Sequence, residues 1–372
     1  MWKAAEGSTQ RLLQLCGAYF FFYVIFGVAT KCFTGKTALF TPAMGDMEFL
    51  VWSTLGGNAV CLAVIATAGW WRDPRASARR RGPLGLPREF LYIVPSGVCT
   101  AVVIPTTTLM YMLLKSVMVA MVIMRASVIV ISRLVDELQV RQGILKKRVV
   151  WEENVAVLFA VAAAGTQIFL AKSDDFDFLT NTAALIVLCS YISAYAARIY
   201  IMNYYKNTRP PGAPLNNKWF FSIEQVSASV AIAGVTGLLI VAGGQVRPIV
   251  AMRQAVSAPH DQWSLAILAG VIYGMVAFFS VFIFMFKGRT ATFAGLVNRM
   301  TSLVAGTTAT LLSHLIFGGR FPSGADWSSL GLVLTAVVFL ARAERRRVPE
   351  LAQTSEAAAR GTDANPPEPD RG

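Results

Sequence analysis

The sequence predicts an all-α integral membrane protein of ten transmembrane helices, arranged as two inverted five-helix repeats. Three observations carry this expectation. Of 372 residues, 55% are hydrophobic and only 15% charged, whereas soluble chains average about a quarter charged. The apolar residues form ten continuous runs instead of alternating with period two, which excludes a transmembrane β-barrel. Residues of the first five runs also recur in the second five at a nearly constant offset.

The first run, 12–30, has no small-residue cleavage site and leads into further membrane-like sequence, so it reads as a helix and not as a signal peptide. It carries Tyr19 and Tyr23 one turn apart. The second, 49–71, is bracketed by Glu48 and Arg72. The third, 90–114, contains Pro95 and Pro105, the latter followed by Thr106, Thr107 and Thr108, a pattern that reads as a packing kink. The fourth, 116–132, opens after Lys115 and holds Arg125 ten residues beyond it. The fifth, 154–171, follows Trp151.

In the sixth, 178–203, Tyr191, Tyr195 and Arg198 follow i, i+4, i+7 and share one face. The seventh, 219–243, contains Glu224 about one turn from its cytoplasmic end, the only acid expected inside any span. The eighth, 263–286, has Gly270 and Gly274, which with Gly56, Gly57 and Gly306 suit close helix contacts. The ninth, 290–317, holds Arg299 ten residues beyond Arg289, and the tenth, 327–341, begins at Trp327. The tail, with Pro349, Pro366, Pro367 and Pro369 amid Ala, Glu and Asp, reads as a disordered cytoplasmic extension over 348–372.

The internal repeat rests on several pairs. Tyr19 and Tyr23 recur as Tyr191 and Tyr195 at an offset of 172, each pair following a Leu-Cys dipeptide. Glu48 and Arg72 recur as Glu224 and Arg247, at offsets of 176 and 175, and Gly97 recurs as Gly270 at 173. Lys115 and Arg125 map onto Arg289 and Arg299 at 174, and Trp151 onto Trp327 at 176. Five helices per half is an odd number, so the second half enters from the opposite side and the repeats are inverted. The halves are expected at 1–175 and 176–347.

Charge placement gives orientation. Lys and Arg outnumber Asp and Glu by 34 to 21. With the N-terminus inside, the cytoplasmic segments collect 24 basic residues and the outer ones 7. The inner set includes Arg72, Arg75, Arg79, Arg80, Arg81 and Arg88, then Arg133, Arg141, Lys146, Lys147 and Arg148, while an outer loop carries Asp174, Asp175 and Asp177. Both termini are therefore expected in the cytoplasm. Because the basic loops lack interleaved aromatics, no nucleic-acid partner is implied.

The three remaining basic residues lie within spans. Arg125 and Arg299 sit about 15 Å deep at about 1.5 Å per residue, near the middle of a roughly 30 Å core. An Arg there costs at least about 2.5–3.5 kcal/mol, so each is expected to face a cavity, a ligand or a partner inside the bundle. No acid lies at that depth, which disfavours exchange of protons against cations and favours an anionic ligand. Ser127, Asn298 and Ser302 accompany the two Arg as candidate substrate ligands, and Tyr19, Tyr23, Tyr191 and Tyr195 offer rings for stacking. Arg198 and Glu224 read as a pair near the cytoplasmic face, either a gate or a structural salt bridge.

Enzyme chemistry finds little footing. The two His, His260 and His314, belong to no metal-spacing motif, and the five Cys form neither a CxxC pair nor a disulfide framework. No catalytic residue, metal or cofactor is expected.

The stretch Met124-Arg125-Ala126-Ser127-Val128-Ile129-Val130-Ile131-Ser132-Arg133 resembles the fourth helix of the drug/metabolite transporter superfamily, nearest the branch of nucleotide-sugar and triose-phosphate carriers and solute-carrier-35 F-type proteins. The resemblance implies ten helices in two inverted halves around a central cavity lined by helices 1 to 4 and 6 to 9, alternating access, often as exchange, and substrate held at Arg125 and Arg299. Ala126 stands where the branch has Gly, and Asn298-Arg299 where many nucleotide-sugar carriers have Lys, which leaves the substrate open.

The expected function is a secondary transporter, an antiporter by that analogy, for a small anionic metabolite such as a sugar phosphate, nucleotide sugar or organic acid. The competing readings are a non-transporting membrane receptor or scaffold on the same fold, and an exporter of neutral amino acids or drugs. The expected surroundings are a lipid bilayer, a bacterial inner membrane before a Golgi or other organelle membrane. A homodimer is the one assembly left open.

Overall fold

The computed structural model describes residues 7–33, 42–71, 87, 89–113, 117–145, 149–169, 182–209, 215–318 and 321–362. The loop bases from Arg72 to Arg81, with Arg88, Lys115 and Lys146 to Arg148, lie outside the described residues, as do Asp174, Asp175, Asp177 and the expected boundary near residue 175. All regular elements among the described residues are helices: α1 (Thr9–Phe33), α2 (Asp46–Thr67), α3 (Phe90–Leu113), α4 (Val117–Arg141), α5 (Trp151–Phe169), α6 (Thr182–Asn207), α7 (Asn217–Ala242), α8 (Arg247–Ser257), α9 (Trp263–Phe284), α10 (Ala291–Phe317) and α11 (Gly324–Thr362).

Eight of these, α1, α2, α3, α6, α7, α9, α10 and α11, are long and apolar enough to cross a membrane. The chain is therefore an all-α, multi-pass membrane protein. The other two expected spans correspond to α4 and α5, both of which border residues outside the described ones. Arg125, Arg133, Asp136 and Glu137 lie within α4, and Glu152 and Glu153 open the 19-residue α5. The sequence reading ended the fourth span at 132, yet the helix continues to Arg141.

That extension corrects the expectation that Glu224 is the only acid inside a helical span. Asp136, Glu152 and Glu153 are fully buried, and Glu344 of α11 nearly so. Each has a polar or charged partner. Asp136 accepts the backbone N–H groups of Ala291 (2.8 Å) and Thr292 (2.6 Å), the first two of α10, and the Asn203 amide (3.0 Å). Glu344 pairs with Arg289 and accepts from Thr9 at 3.0 Å, Glu152 meets Arg346 at 2.7 Å, and Glu153 accepts from Thr290 at 3.3 Å.

Local chemistry sets several helix ends. Asn216 accepts from the Trp219 N–H and Thr290 from the Phe293 N–H, so α7 and α10 begin with side-chain caps. Both end on a left-handed glycine, Gly243 and Gly318. The short α8, which periodicity over long runs did not reveal, begins with Pro248 in its first turn. At the other end of the chain, α11 continues to Thr362 through the first part of the expected disordered tail. That segment holds four Ala and two Glu, both good helix formers.

The largest helix interfaces join α2 to α9, α5 to α11, α3 to both α6 and α7, and α1 to both α9 and α10, with α4 contacting α5, α6 and α10. Glycines bring several of these backbones together. A Cβ on Gly56 would overlap the Ile267 carbonyl, one on Gly270 the Ser53 carbonyl, and one on Gly97 the carbonyl of Glu224. Large apolar side chains such as Leu13, Phe21, Leu158, Ile186, Leu238 and Leu315 face outward, as a lipid-contacting surface requires.

Candidate functional site

A cavity of about 160 Å³ lies at the centre of the bundle. Its wall comes from α1, α2, α3, α4, α6, α7, α9 and α10, while α5 and α11 pack outside it. The side chains are of three kinds. Arg125, Arg198 and Arg299 supply charge, Tyr19, Tyr23, Tyr191, Tyr195 and Tyr273 supply rings, and Asn58, Thr54, Thr100, Thr107, Gln225 and Ser280 supply neutral polar groups.

Arg125 reaches across from α4 to α1, where its Nη2 donates to the Tyr23 hydroxyl at 3.0 Å and its guanidinium stands 5.9 Å from the ring centre. Its other side lies against Gly306 of α10, where a Cβ would come within 3.9 Å of Nη1. Arg299 of α10 makes the matching contact on the other half, its guanidinium 5.0 Å over the Tyr195 ring of α6. The rings themselves are paired, Tyr19 with Tyr23 at 5.6 Å and Tyr191 with Tyr195 at 5.0 Å. All four tyrosines lie within electrostatic range of Arg299. Tyr19 is within range of both Arg125 and Arg299.

The two guanidiniums differ from the third in what satisfies them. Nε and Nη2 of Arg299 are buried and meet no protein acceptor among the described residues. A guanidinium carries five N–H donors, and a π face takes charge but satisfies few of them. Arg198, by contrast, is held in a fork by Glu224: Nε donates to Oε1 at 2.9 Å and Nη2 to Oε2 at 3.2 Å. Glu224 also accepts from Ser96 at 2.7 Å and Thr100 at 3.4 Å. The pair lies deeper than expected, Glu224 being seven residues past Asn217, the first residue of α7, which is about 10 Å at about 1.5 Å per residue.

Three expected ligands point elsewhere. Ser127 donates to the Ile123 carbonyl at 2.8 Å and Ser302 to the Arg299 carbonyl at 2.8 Å, both turned back onto their own helices. Asn298 is fully buried and donates to Ser280 at 2.9 Å, tying α10 to α9 behind the wall. In their place the cavity presents residues that motif reasoning passed over. Asn58 accepts from Gln225 (2.8 Å) and Ser229 (3.0 Å), linking α2 to α7, and Tyr273 of α9 meets Phe26 of α1 at 4.7 Å. The signal for both was the one already used for the Arg residues: a polar side chain in the middle of an apolar run.

No protein-family model and no curated protein matches the chain. Among solved structures 20 chains match. One of them, described only as the crystal structure of a protein, has a TM-score of 0.55 at 15% identity and covers 91% of this chain and 99% of its own. The chain is thus similar in fold, over nearly its full length, to a protein of known structure.

Proposed function

We propose that this chain is a secondary transporter that carries a small anion by alternating access, on a plan of ten spans in two inverted halves with both termini cytoplasmic. The observation that carries the reading is Arg299: a guanidinium at mid-bundle, facing a cavity, with two buried donor atoms that no acceptor among the described residues meets. Together with Arg125 it makes the cavity electropositive. Among the described residues no carboxylate forms part of the wall itself, since Glu224 stands behind Arg198. Small anions with forked oxygen geometry suit such donors.

Pairwise packing supports the inverted plan. Numbering the ten long helices in order, exchange of each with the one five places on turns one observed interface into another. The α2–α9 interface becomes α7–α3, α1–α9 becomes α6–α3, and α1–α10 becomes α6–α4. The same exchange turns the Arg125–Tyr23 contact into Arg299–Tyr195. It also relates Gly97 packed on Ala228 to Gly270 packed on Ser53. A cavity lined by eight helices, with the fifth and tenth outside, is what the resemblance to drug/metabolite transporters implies, and it fits substrate held between the halves.

Flux measured in proteoliposomes tests the reading. Labelled succinate, inorganic phosphate and a sugar phosphate are offered with and without the same solute inside. At least one is expected to enter, and Arg299→Ala and Arg125→Ala are each expected to lower its uptake tenfold or more. Undiminished uptake in both variants sinks the anion site.

A further inference from the structure

The cavity wall carries three guanidiniums, but only two of them face an occupant with charge to spare. Arg198 is matched at close range by the Glu224 carboxylate through two parallel N–H···O bonds. That carboxylate is 2% exposed and receives four hydrogen bonds in all, with Ser96 and Thr100 supplying the others. Oε1 takes three of these bonds and Oε2 the fourth, from the Arg198 fork, so the carboxylate is committed to Arg198 and to the two hydroxyls of α3. The pair is therefore a neutral unit built into the wall.

Among the described residues Arg125 and Arg299 have no such counter-ion. Their neighbours are tyrosine rings and one hydroxyl, which orient the guanidiniums without cancelling them. In a small cavity within a bundle of apolar helices, unmatched charge is penalised. An occupant with one negative charge leaves one guanidinium unmatched, and one with three brings a surplus anion into the same space. Two charges balance.

We infer that Glu224 is the residue that sets the valence of the cargo: by cancelling Arg198 it leaves a cavity that selects a dianion, either a small dicarboxylate or a phosphate monoester. This rests on the anion-transport reading and deepens it. The serine, the threonine and the two-oxygen fork have a clear part in the device, since they hold the Glu224 carboxylate turned toward Arg198 and away from the cavity. Removing the negative charge without changing shape frees Arg198 and raises the count of unmatched guanidiniums from two to three.

The experiment is a thermal-shift titration of the full-length protein in detergent at pH 7.5, where the probe acids are ionised. The probes are butyrate, succinate and tricarballylate, of similar build and one, two and three charges, with dimethyl phosphate against methyl phosphate to separate the phosphate source from the carboxylate one. For the natural sequence, half-maximal stabilisation by succinate or methyl phosphate is expected at a concentration at least tenfold below that of the monoanion and the trianion. In Glu224→Gln the optimum is expected to move to tricarballylate. The double variant Glu224→Gln with Arg198→Gln is expected to return it to two charges, so a folding defect in the single variant leaves a second reading of the same quantity. An unchanged valence order in Glu224→Gln, or an optimum at one or three charges in the natural sequence, overturns the inference while leaving the anion reading in place. Absence of stabilisation by every anion overturns both.

Discussion

The guanidinium of Arg299 lies 5.0 Å over the ring of Tyr195, and 174 and 172 residues earlier Arg125 stands 5.9 Å over Tyr23. The two pairs come from different helices, α10 with α6 and α4 with α1, and meet in one cavity. They differ in one respect. Arg125 donates to the Tyr23 hydroxyl at 3.0 Å, whereas Arg299 contacts Tyr195 through its ring.

That difference predicts unequal effects of removing a hydroxyl. Tyr195→Phe keeps the ring and is expected to change anion affinity by less than about threefold, whereas Tyr195→Ala removes a desolvated cation–π contact of about 2 kcal/mol, or roughly 30-fold. Tyr23→Phe removes a hydrogen bond from a charged donor and is expected to weaken binding by about 1.5–3 kcal/mol. Titration of succinate or methyl phosphate by calorimetry reads all three. Equal losses in Tyr23→Phe and Tyr195→Phe contradict the asymmetry.

The Arg198–Glu224 pair is buried on both sides, 7% and 2% exposed. Truncating one partner strands the other charge, so Glu224→Ala is expected to lower stability by about 3–5 kcal/mol, and Arg198→Met by a similar amount. Replacing both, Arg198→Met with Glu224→Leu, is expected to recover most of that loss. Unfolding in a mixed-detergent titration measures the cycle, and additive losses in the double variant exclude the pairing as the cause.

Asp136 holds the first turn of α10 from a neighbouring helix, accepting at 2.8 and 2.6 Å from consecutive N–H groups. Asp136→Ala leaves these donors and the Asn203 amide buried without an acceptor, a loss of about 2–4 kcal/mol. Asp136→Asn keeps one oxygen and is expected to cost about half as much. Hydrogen exchange at Ala291 and Thr292 is expected to accelerate in both, and unchanged exchange there refutes the capping role.

Glycine positions offer a contrast within one chain. At Gly56 and Gly270 a methyl group would overlap a backbone carbonyl of the facing helix, so alanine at either is expected to destabilise the protein by about 1–3 kcal/mol. Gly234 has no atom within 4 Å of where its Cβ would stand. There alanine is expected to be neutral or to stabilise by about 0.5–1 kcal/mol, through helix propensity alone. The same unfolding titration separates the two outcomes.

Much of the site was legible before any coordinates. An Arg in the middle of an apolar run announces a cavity because lipid cannot solvate it, and both such residues do face one. Tyr19, Tyr23, Tyr191 and Tyr195 were legible from their shared spacing. Ser127, Asn298 and Ser302 turn away from the cavity, since adjacency along the chain says little about direction: neighbours on a helix point about 100° apart, and a serine in an apolar helix bonds back to its own backbone.

What the sequence determined by itself was the solvent and the helical class. Composition and uninterrupted apolar length require a membrane, and the backbone has no alternative there to helices that satisfy their own hydrogen bonds. The tertiary structure decided which polar groups meet. The fork between Arg198 and Glu224, the cap that Asp136 lends to α10, and the convergence of Arg125 and Arg299 all join residues far apart in the chain. Their geometry depends on the rotation and depth of each helix against its neighbours, which is set by close contacts such as Gly270 on Ser53 and not by any local pattern.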